Sequence, residues 1–201
     1  MIGSHNSMSY LPVRQWYLKP FSWMARCQSK TLSEQFYTYG VRLFDIRIRF
    51  DKDGEIVYAH GPIEFSGKTM VFYLCDLDTW ANDSNETVYC RIILESNGQM
   101  KDQARQEALF VNECKCLQDF YSHITFFGGN RKYDWKEIYH FNTNIDLVDK
   151  YSSTTNIFGG SKDSWIAKLD DLWPWLYAKL NNKKNKAKYA NDNLLIDFVN
   201  I

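Results

Sequence analysis

The sequence predicts an α/β fold, and within that class a small, distorted or incomplete (β/α) barrel fits best. Apolar, strand-like segments alternate along the chain with segments of helical composition, which is the order expected of a parallel sheet covered by helices. Segment 87–96, TVYCRIILES, is almost continuously apolar, as expected of a strand buried on both faces of such a sheet. Because the chain has 201 residues and about six recognisable strands, a barrel has to be trimmed or irregular.

The predicted elements follow one another without a linker or an internal repeat, which indicates one domain, 1–201. Strand composition is found in these segments, of which 144–151 is the shortest candidate: 1–3, 40–50, 56–61, 87–96, 124–129, 144–151 and 193–200. A turn is predicted at 51–55. Helical composition is found in part of 11–39, with a helix start at 31–35, and in 101–120 and 170–180.

Charge and cysteine content argue against several classes of protein. The 24 basic and 24 acidic residues give a net charge of zero, so nucleic acid is not an expected partner. The only basic run, 181–189, is interpreted as a solvated loop or helix face. The five cysteines are odd in number and irregularly spaced, and Cys114 and Cys116 lack the further ligands of a zinc site. A disulfide framework is therefore not expected, and a reducing compartment fits better.

No apolar stretch approaches the 18 or so residues of a membrane-spanning helix, and no signal peptide is visible. As given, the chain is expected in the cytoplasm, with secretion or delivery to a host left open. We expect a monomer.

Side chains with chemical function lie at or near predicted strand ends: His5, Asp45, Arg47, His60 and Asp197. Such positions converge on one face of a parallel α/β fold. Two histidines can act as general base and general acid, an arginine can bind a phosphate, and a buried carboxylate can orient an imidazole. The set suits metal-free cleavage of a phosphodiester. For each histidine taken alone, a structural role is the commoner alternative.

Three segments, in this order, resemble the X-region of bacterial phosphatidylinositol-specific phospholipase C: GSHNSMSY at 3–10, GVRLFDIRIRF at 40–50 and VYAHGP at 57–62. They cover about the first third of the chain, and as an ordered set they are specific. Two shorter segments, LVDKY at 147–151 and LLIDFVN at 194–200, also resemble the bacterial enzymes. The family implies a distorted, incompletely closed TIM-type barrel.

The resemblance also implies roles for the clustered residues. His5 is the base, oriented by Asp197, that takes the proton from the inositol 2-hydroxyl. That hydroxyl attacks the neighbouring phosphorus, diacylglycerol leaves, and a cyclic inositol phosphate forms that is then slowly hydrolysed. His60 is the acid that protonates the leaving oxygen, Arg47 binds the phosphate oxygens, and Asp45 holds Arg47.

Further residues are implied in substrate binding. Asp149 binds an inositol hydroxyl and Tyr151 lies against the apolar face of the ring. Arg131, in a predicted loop, is a candidate for contact with a phosphate or an inositol hydroxyl, and an ordinary loop arginine is an equal alternative. Asn6 and Glu95 are also counted among the substrate-binding residues.

The resemblance bears on metals as well. Calcium-dependent relatives carry an acidic ligand at the position of Arg47, so an arginine there predicts no metal and no other cofactor. Asn6 and Glu95 favour the alternative, Ca²⁺, because both match calcium-dependent members. The metal-free interpretation is preferred since a guanidinium and Ca²⁺ should not share one pocket. The neutral Asn6 amide supports a charged His60 less well than a carboxylate does.

The expected partner is a phosphatidylinositol-type lipid, with transient contact to a membrane surface. Trp16 and Trp23 are candidates for that contact, with core packing as the alternative. His123 and His140 have no motif around them and are expected to be structural or at the surface. Two other functions stay open: a related phosphodiesterase acting on another lipid headgroup or a glycerophosphodiester, and a catalytically inactive phosphoinositide-binding domain.

Overall fold

A computed structural model describes residues 1–95, 102–127, 147–149 and 173–201, with backbone alone at 147–149. It contains these strands: Ile2–Ser4 (β1), Leu43–Phe50 (β2), Ile56–His60 (β3), Ile63–Phe65 (β4), Val88–Leu94 (β5), Ile124–Phe127 (β6), Leu147–Asp149 (β7) and Asn193–Ile196 (β8). The helices are Met70–Ser84 (α1), Gln103–Phe120 (α2) and Pro174–Lys188 (α3). A 3-10 helix covers Trp16–Met24 and a π-helical turn covers Glu34–Thr38.

The strands form one sheet whose parallel part has the order β6-β5-β2-β1-β8-β7. The first and last strands of the chain are neighbours, as in a barrel. The hairpin β3-β4 pairs antiparallel with the second half of β2. Among the described residues no pairing joins β6 to β7, so the sheet is open there. The predicted α/β fold with a parallel sheet is confirmed.

The two faces of β2 carry different side chains, as its alternating sequence predicts. Phe44, Ile46 and Ile48 belong to the main core. The opposite face begins with a small apolar cluster of Leu43, Phe127 and Leu195, and a Cβ added at Gly3 would come within 2.8 Å of the Leu43 side chain. Two residues beyond Gly3, Leu43 and Leu195, the same face carries polar side chains: His5, Asp45 and Asp197. The apolar cluster is therefore the floor of the candidate site.

The helices have recognisable ends. Asp102 caps α2 by accepting from the Arg105 N–H at 3.0 Å, and α1 ends at Asn85 in the left-handed conformation (φ 52°). Pro174 opens α3, which extends through Lys188 and so places the basic run of the sequence on a helix. No helix in the described segments is long and apolar enough to cross a bilayer.

Several predicted boundaries differ from the structure. Helix α1 and strand β4 were not predicted, α3 runs further than 180, and the last strand ends at Ile196 rather than 200. The predicted helix start at 31–35 is present: Glu34 Oε2 accepts from the Thr31 N–H at 2.9 Å. The strand that ends at His60 is antiparallel to β2, so His60 arrives from a hairpin and not from a parallel strand.

Candidate functional site

His5 and Asp197 lie side by side because their strands are paired in register. Ser4, the last residue of β1, pairs with Ile196, the last residue of β8. His5 and Asp197 directly follow these two residues in the chain. His5 Nδ1 lies 2.6 Å from Asp197 Oδ1, and both side chains are buried. A carboxylate can only accept, so Nδ1 carries the hydrogen and Nε2 keeps its lone pair. The geometry is that of an imidazole oriented for use as a base.

Arg47, two residues beyond Asp45 on β2, is held at three points. Its Nε donates to Asp45 Oδ2 at 3.0 Å, its Nη1 donates to Glu95 Oε1 at 3.1 Å, and its Nη2 donates to His5 Nε2 at 2.6 Å. Since a guanidinium has only donors, the last contact agrees with a His5 protonated on Nδ1. The guanidinium therefore faces the His5 ring directly.

Asp45 is the buried hub of the charged cluster. Besides Arg47 it accepts from Arg91 Nε at 2.9 Å and from the Asn6 N–H at 3.1 Å. Burial by itself raises the pKa of Asp45, but Arg47, Arg91 and His5 outweigh burial and hold the pKa well below its usual range. The carboxylate is ionised at any physiological pH.

The loop after β1 is fastened to Asp45 through backbone contacts. The Asp45 N–H donates to Ser7 Oγ at 2.9 Å, and the Ser7 N–H donates to the Asp45 carbonyl at 2.7 Å. Asn6 adopts the left-handed conformation (φ 44°), which asparagine tolerates better than most residues. These contacts fix the direction in which His5 enters the site.

His60, at the end of β3, lies edge-on to His5, with 5.8 Å between ring centroids and an interplanar angle of 83°. Its Nδ1 donates to the Ala25 carbonyl at 2.9 Å and lies 3.5 Å from Cys27 Sγ. The carbonyl of Gly61, the residue after His60, accepts from Arg49 Nη2. Arg49 itself is buried and lies 3.7 Å from the buried carboxylate of Glu64.

The structure also contains site residues that sequence reasoning missed. Gln28 is buried and donates to the carbonyls of His5 and Ile196 at 3.1 and 3.0 Å, which ties β1 to β8. Asn182 of α3 donates to the Asp197 carbonyl at 2.7 Å. Arg91 had a sequence signal, because it is the only charged residue within the apolar strand β5. Cys27 had none.

Asn6 and Glu95 both lie in this cluster. The Asn6 amide donates to the Ala59 carbonyl at 3.5 Å, and its Oδ1 has no hydrogen-bond partner in the described part of the chain. Glu95 pairs with Arg47. Asp45 and Glu95 are thus both paired with the Arg47 guanidinium, and a pocket whose carboxylates are already neutralised by an arginine does not fit Ca²⁺.

Among the described residues, one group of side chains is spaced closely enough to be considered as a metal site. Ligand atoms of His5, Cys27 and Asp197 lie within 4.8 Å of one another, but the His5 and Asp197 atoms already share a 2.6 Å hydrogen bond.

The remaining predicted residues lie away from this cluster or outside the described residues. Arg131, Tyr151 and His140 are outside them, and of Asp149 the backbone alone is described, as the β7 partner of Leu195. His123 lies 3.7 Å from Asp78 near the start of β6.

Exposed aromatic side chains lie on the 3-10 helix Trp16–Met24 that follows the His5 loop. Trp16 is 78% exposed and Trp23 is 43% exposed, so core packing, the alternative weighed for them, is wrong. The Trp23 ring lies 5.3 Å from that of Trp173, which is also exposed. Together with Tyr17 and Phe21 these residues form the aromatic rim.

No protein-family model and no curated protein matches the sequence. Solved structures do match. A Staphylococcus aureus phosphatidylinositol-specific phospholipase C, from a study of membrane binding, aligns with a TM-score of 0.56 and 15% identity over 98% of this chain and 85% of that chain. A single-mutant form gives 0.57 and 17%, and a double-mutant form 0.57 and 18%, each over 98% and 84% of the two chains. These values establish a shared fold over nearly the whole chain.

Proposed function

We propose that this chain is a phosphodiesterase that cleaves phosphatidylinositol, or its glycosylated forms, to diacylglycerol and a cyclic inositol phosphate. One observation carries the proposal: His5 lies 2.6 Å from both Asp197 and Arg47, with His60 edge-on at 5.8 Å. A base, its orienting carboxylate, a cation for the phosphate and a second imidazole are the groups that such a cleavage needs. The fold shared with phosphatidylinositol-specific phospholipase C supports this choice of substrate.

His5 is the proposed general base. It takes the proton of the inositol 2-hydroxyl on Nε2 while the hydroxyl oxygen forms a bond to phosphorus. Asp197 keeps the Nδ1 hydrogen in place and stabilises the imidazolium that results. Before substrate binds, Arg47 Nη2 donates a hydrogen bond to the lone pair of His5 Nε2. Transfer of that guanidinium nitrogen to a phosphate oxygen frees the lone pair, so phosphate binding and release of the base are one event.

His60 is the proposed general acid. Its Nδ1 hydrogen is held by the Ala25 carbonyl, so in the imidazolium form the second hydrogen lies on Nε2 and is the one that protonates the glycerol oxygen as the bond between phosphorus and that oxygen breaks. The proton gained by His5 and the proton lost by His60 balance. Water then reverses the two roles when the cyclic phosphate is hydrolysed.

Arg47 is proposed to stabilise the charge on the phosphate oxygens in the transition state, in place of a metal ion. Asp45 and Glu95 fix its fork before the substrate arrives. The cost of reorganising this charge during the reaction is therefore small.

The aromatic rim is proposed to insert into the membrane interface, where indole rings are favoured. Trp16→Ala and Trp23→Ala should lower turnover on vesicles and leave cleavage of a soluble substrate unchanged. Tyr37→Ala is the control, because Tyr37 is 57% exposed and its ring contacts Trp80, outside the rim. Equal losses for Tyr37→Ala would argue against a role specific to the rim.

The function is tested with phosphatidylinositol, phosphatidylcholine and glycerophosphoinositol, each with and without EDTA, using phosphorus NMR to detect a cyclic inositol phosphate. We expect cyclic product from phosphatidylinositol at equal rates with and without EDTA. Cleavage of phosphatidylcholine alone would show that the substrate is a lipid with another headgroup. Cleavage of glycerophosphoinositol alone would show that the substrate is a soluble glycerophosphodiester. No product from any of them would favour a binding domain, and loss of activity in EDTA would overturn the role of Arg47.

A further inference from the structure

Cys27 is a buried thiol at the centre of the candidate site, and the steps proposed above do not use it. Its N–H donates to Ser9 Oγ at 2.9 Å, and its carbonyl accepts from the Phe198 N–H at 2.6 Å. The first contact joins it to the loop that carries His5, and the second joins it to the residue after Asp197. The position of the sulfur is therefore fixed by both loops.

The sulfur lies beside the acid. Cys27 Sγ is 3.5 Å from His60 Nδ1, and both groups use the Ala25 carbonyl: Nδ1 donates to it at 2.9 Å and the thiol donates to it at 3.7 Å. A carbonyl oxygen only accepts, so His60 carries a hydrogen on Nδ1. A sulfur atom is a weak acceptor and is polarisable, so it can share that hydrogen.

Two other polar side chains of the cluster, those of Asn6 and Asp45, have partners of their own. The Asn6 amide donates to the Ala59 carbonyl, and Asp45 is shared between Arg47 and Arg91. Asn6 is also neutral and stabilises an imidazolium less than a carboxylate would. The Cys27 sulfur lies 3.5 Å from Nδ1, where positive charge appears when His60 is protonated.

We infer that Cys27 is a positioning residue for His60: its sulfur and the Ala25 carbonyl together hold Nδ1 and keep Nε2 as the nitrogen that delivers the proton. This inference rests on the proposed function, in which His60 is the acid. It predicts that Cys27 matters only where the leaving group needs a proton.

Leaving-group dependence separates this role from a merely structural one. Cys27→Ala and Cys27→Ser are compared with wild type on a short-chain phosphatidylinositol, whose alkoxide must be protonated, and on the 4-nitrophenyl ester of inositol phosphate, whose phenoxide leaves without help. Proton transfer contributes about 10²–10⁴-fold, and loss of a positioning group should remove roughly tenfold of it. We expect Cys27→Ala to lose about tenfold on the lipid and little on the ester. Cys27→Ser, which restores a polar atom, should recover part of the loss.

Two further variants serve as controls. His60→Ala should show the same leaving-group dependence more strongly. Cys90→Ala removes a second buried thiol, which lies in the main core, and should affect the two substrates equally. Equal losses on both substrates for Cys27→Ala, or no loss on either, would overturn the inference.

A spectroscopic readout decides the matter separately from activity. Nitrogen-15 NMR of the histidine rings reports which nitrogen of His60 is protonated. At a pH high enough for the His60 ring to be neutral, we expect its single hydrogen on Nδ1 in wild type and a mixture of tautomers in Cys27→Ala. An unchanged spectrum refutes the role of Cys27. Failure of the proposed function shows itself differently, as a wild-type protein that cleaves neither substrate.

Discussion

The two halves of the candidate site are held by different forces. Around His5 the contacts are charged: Asp197 on one ring nitrogen, Arg47 on the other, and Asp45 behind Arg47. The contacts of the His60 ring include a backbone carbonyl, that of Ala25, and the Cys27 thiol. One half depends on several ionised side chains and the other on the course of the backbone.

This difference between the two halves of the site determines how strongly substitutions in each half should affect the protein. Buried charges satisfy one another, so removal of one leaves its partners unpaired at a high cost. A backbone carbonyl remains whatever side chain is substituted. Substitutions in the base half should therefore have larger and less additive effects than substitutions in the acid half. The following predictions run from the largest expected effect to the smallest.

His5→Ala should remove the proposed general base. We expect kcat to fall by about 10³–10⁴-fold while the fold is retained. Asp197→Asn should also lose activity, because an amide can donate to Nδ1 and stabilise the wrong tautomer. Since the two residues act as one unit, the double variant should be no slower than His5→Ala alone. Single-turnover rates of the three variants measure this, and additive losses would contradict the pairing.

Asp45→Asn should be strongly destabilising, by about 3–5 kcal/mol, because Arg47 and Arg91 lose their shared carboxylate. The sign of the pH effect follows from the lowered pKa of Asp45. The stabilisation is present above the pKa of an unfolded aspartate, about 3.9, and disappears as the pH falls towards the lower folded pKa.

Urea unfolding at pH 7, 5 and 3 tests both statements. Wild type should lose stability as the pH is lowered, whereas Asp45→Asn should show a shallower dependence because it has already lost this contribution. Parallel curves for the two proteins would show that Asp45 is not the source of the acid sensitivity.

Arg47→Lys should separate charge from geometry. Lysine keeps the positive charge but lacks the fork that reaches Asp45, Glu95 and His5 together. We expect kcat to fall roughly 10²-fold with a smaller change in KM, because the fork is proposed to act in the transition state. Steady-state kinetics of Arg47→Lys beside Arg14→Lys, a surface arginine paired with Asp51, provide the control. Wild-type kcat for Arg47→Lys would reduce its role to charge alone.

Substitutions of Asn6 should have the smallest effect on stability, in contrast to the large loss expected for Asp45→Asn. Its weak side-chain bond to Ala59 is of little consequence, but its left-handed backbone is not. Asn6→Gly should be close to wild type in stability, while Asn6→Ala should lose about 1 kcal/mol through backbone strain. Thermal unfolding measures the difference. The reverse order would show that the side chain matters more than the backbone.

Much of the fold could be predicted from the sequence because its signals are local. The alternation in 40–50 placed Asp45 and Arg47 on one face of β2, and the apolar run at 87–96 marked β5. Helix α1 was missed, although Leu74, Leu77 and Ala81 are spaced as a buried helical stripe. The antiparallel course of β3 was missed as well, because pairing depends on a partner strand.

The site could be predicted in part, since motifs mark residues that have characteristic neighbours in the chain. The motifs predict that His5, Arg47, His60 and Asp197 lie in one cluster. Cys27 and Gln28 were not, because a lone cysteine and glutamine in an irregular segment have no pattern. Asp149, Tyr151 and Arg131 stay predictions.

The sequence by itself determined the class of fold, the alternation of β2 and the identity of the titratable groups, since all of these follow from residue type and spacing. Only the tertiary structure decided which groups meet. The pairing of the first strand with the last brings His5 to Asp197 across 192 positions of sequence, and Glu95 turns out to bind Arg47. The physical reason is that hydrogen bonds and ion pairs act over a few ångströms of space, whatever the distance along the chain.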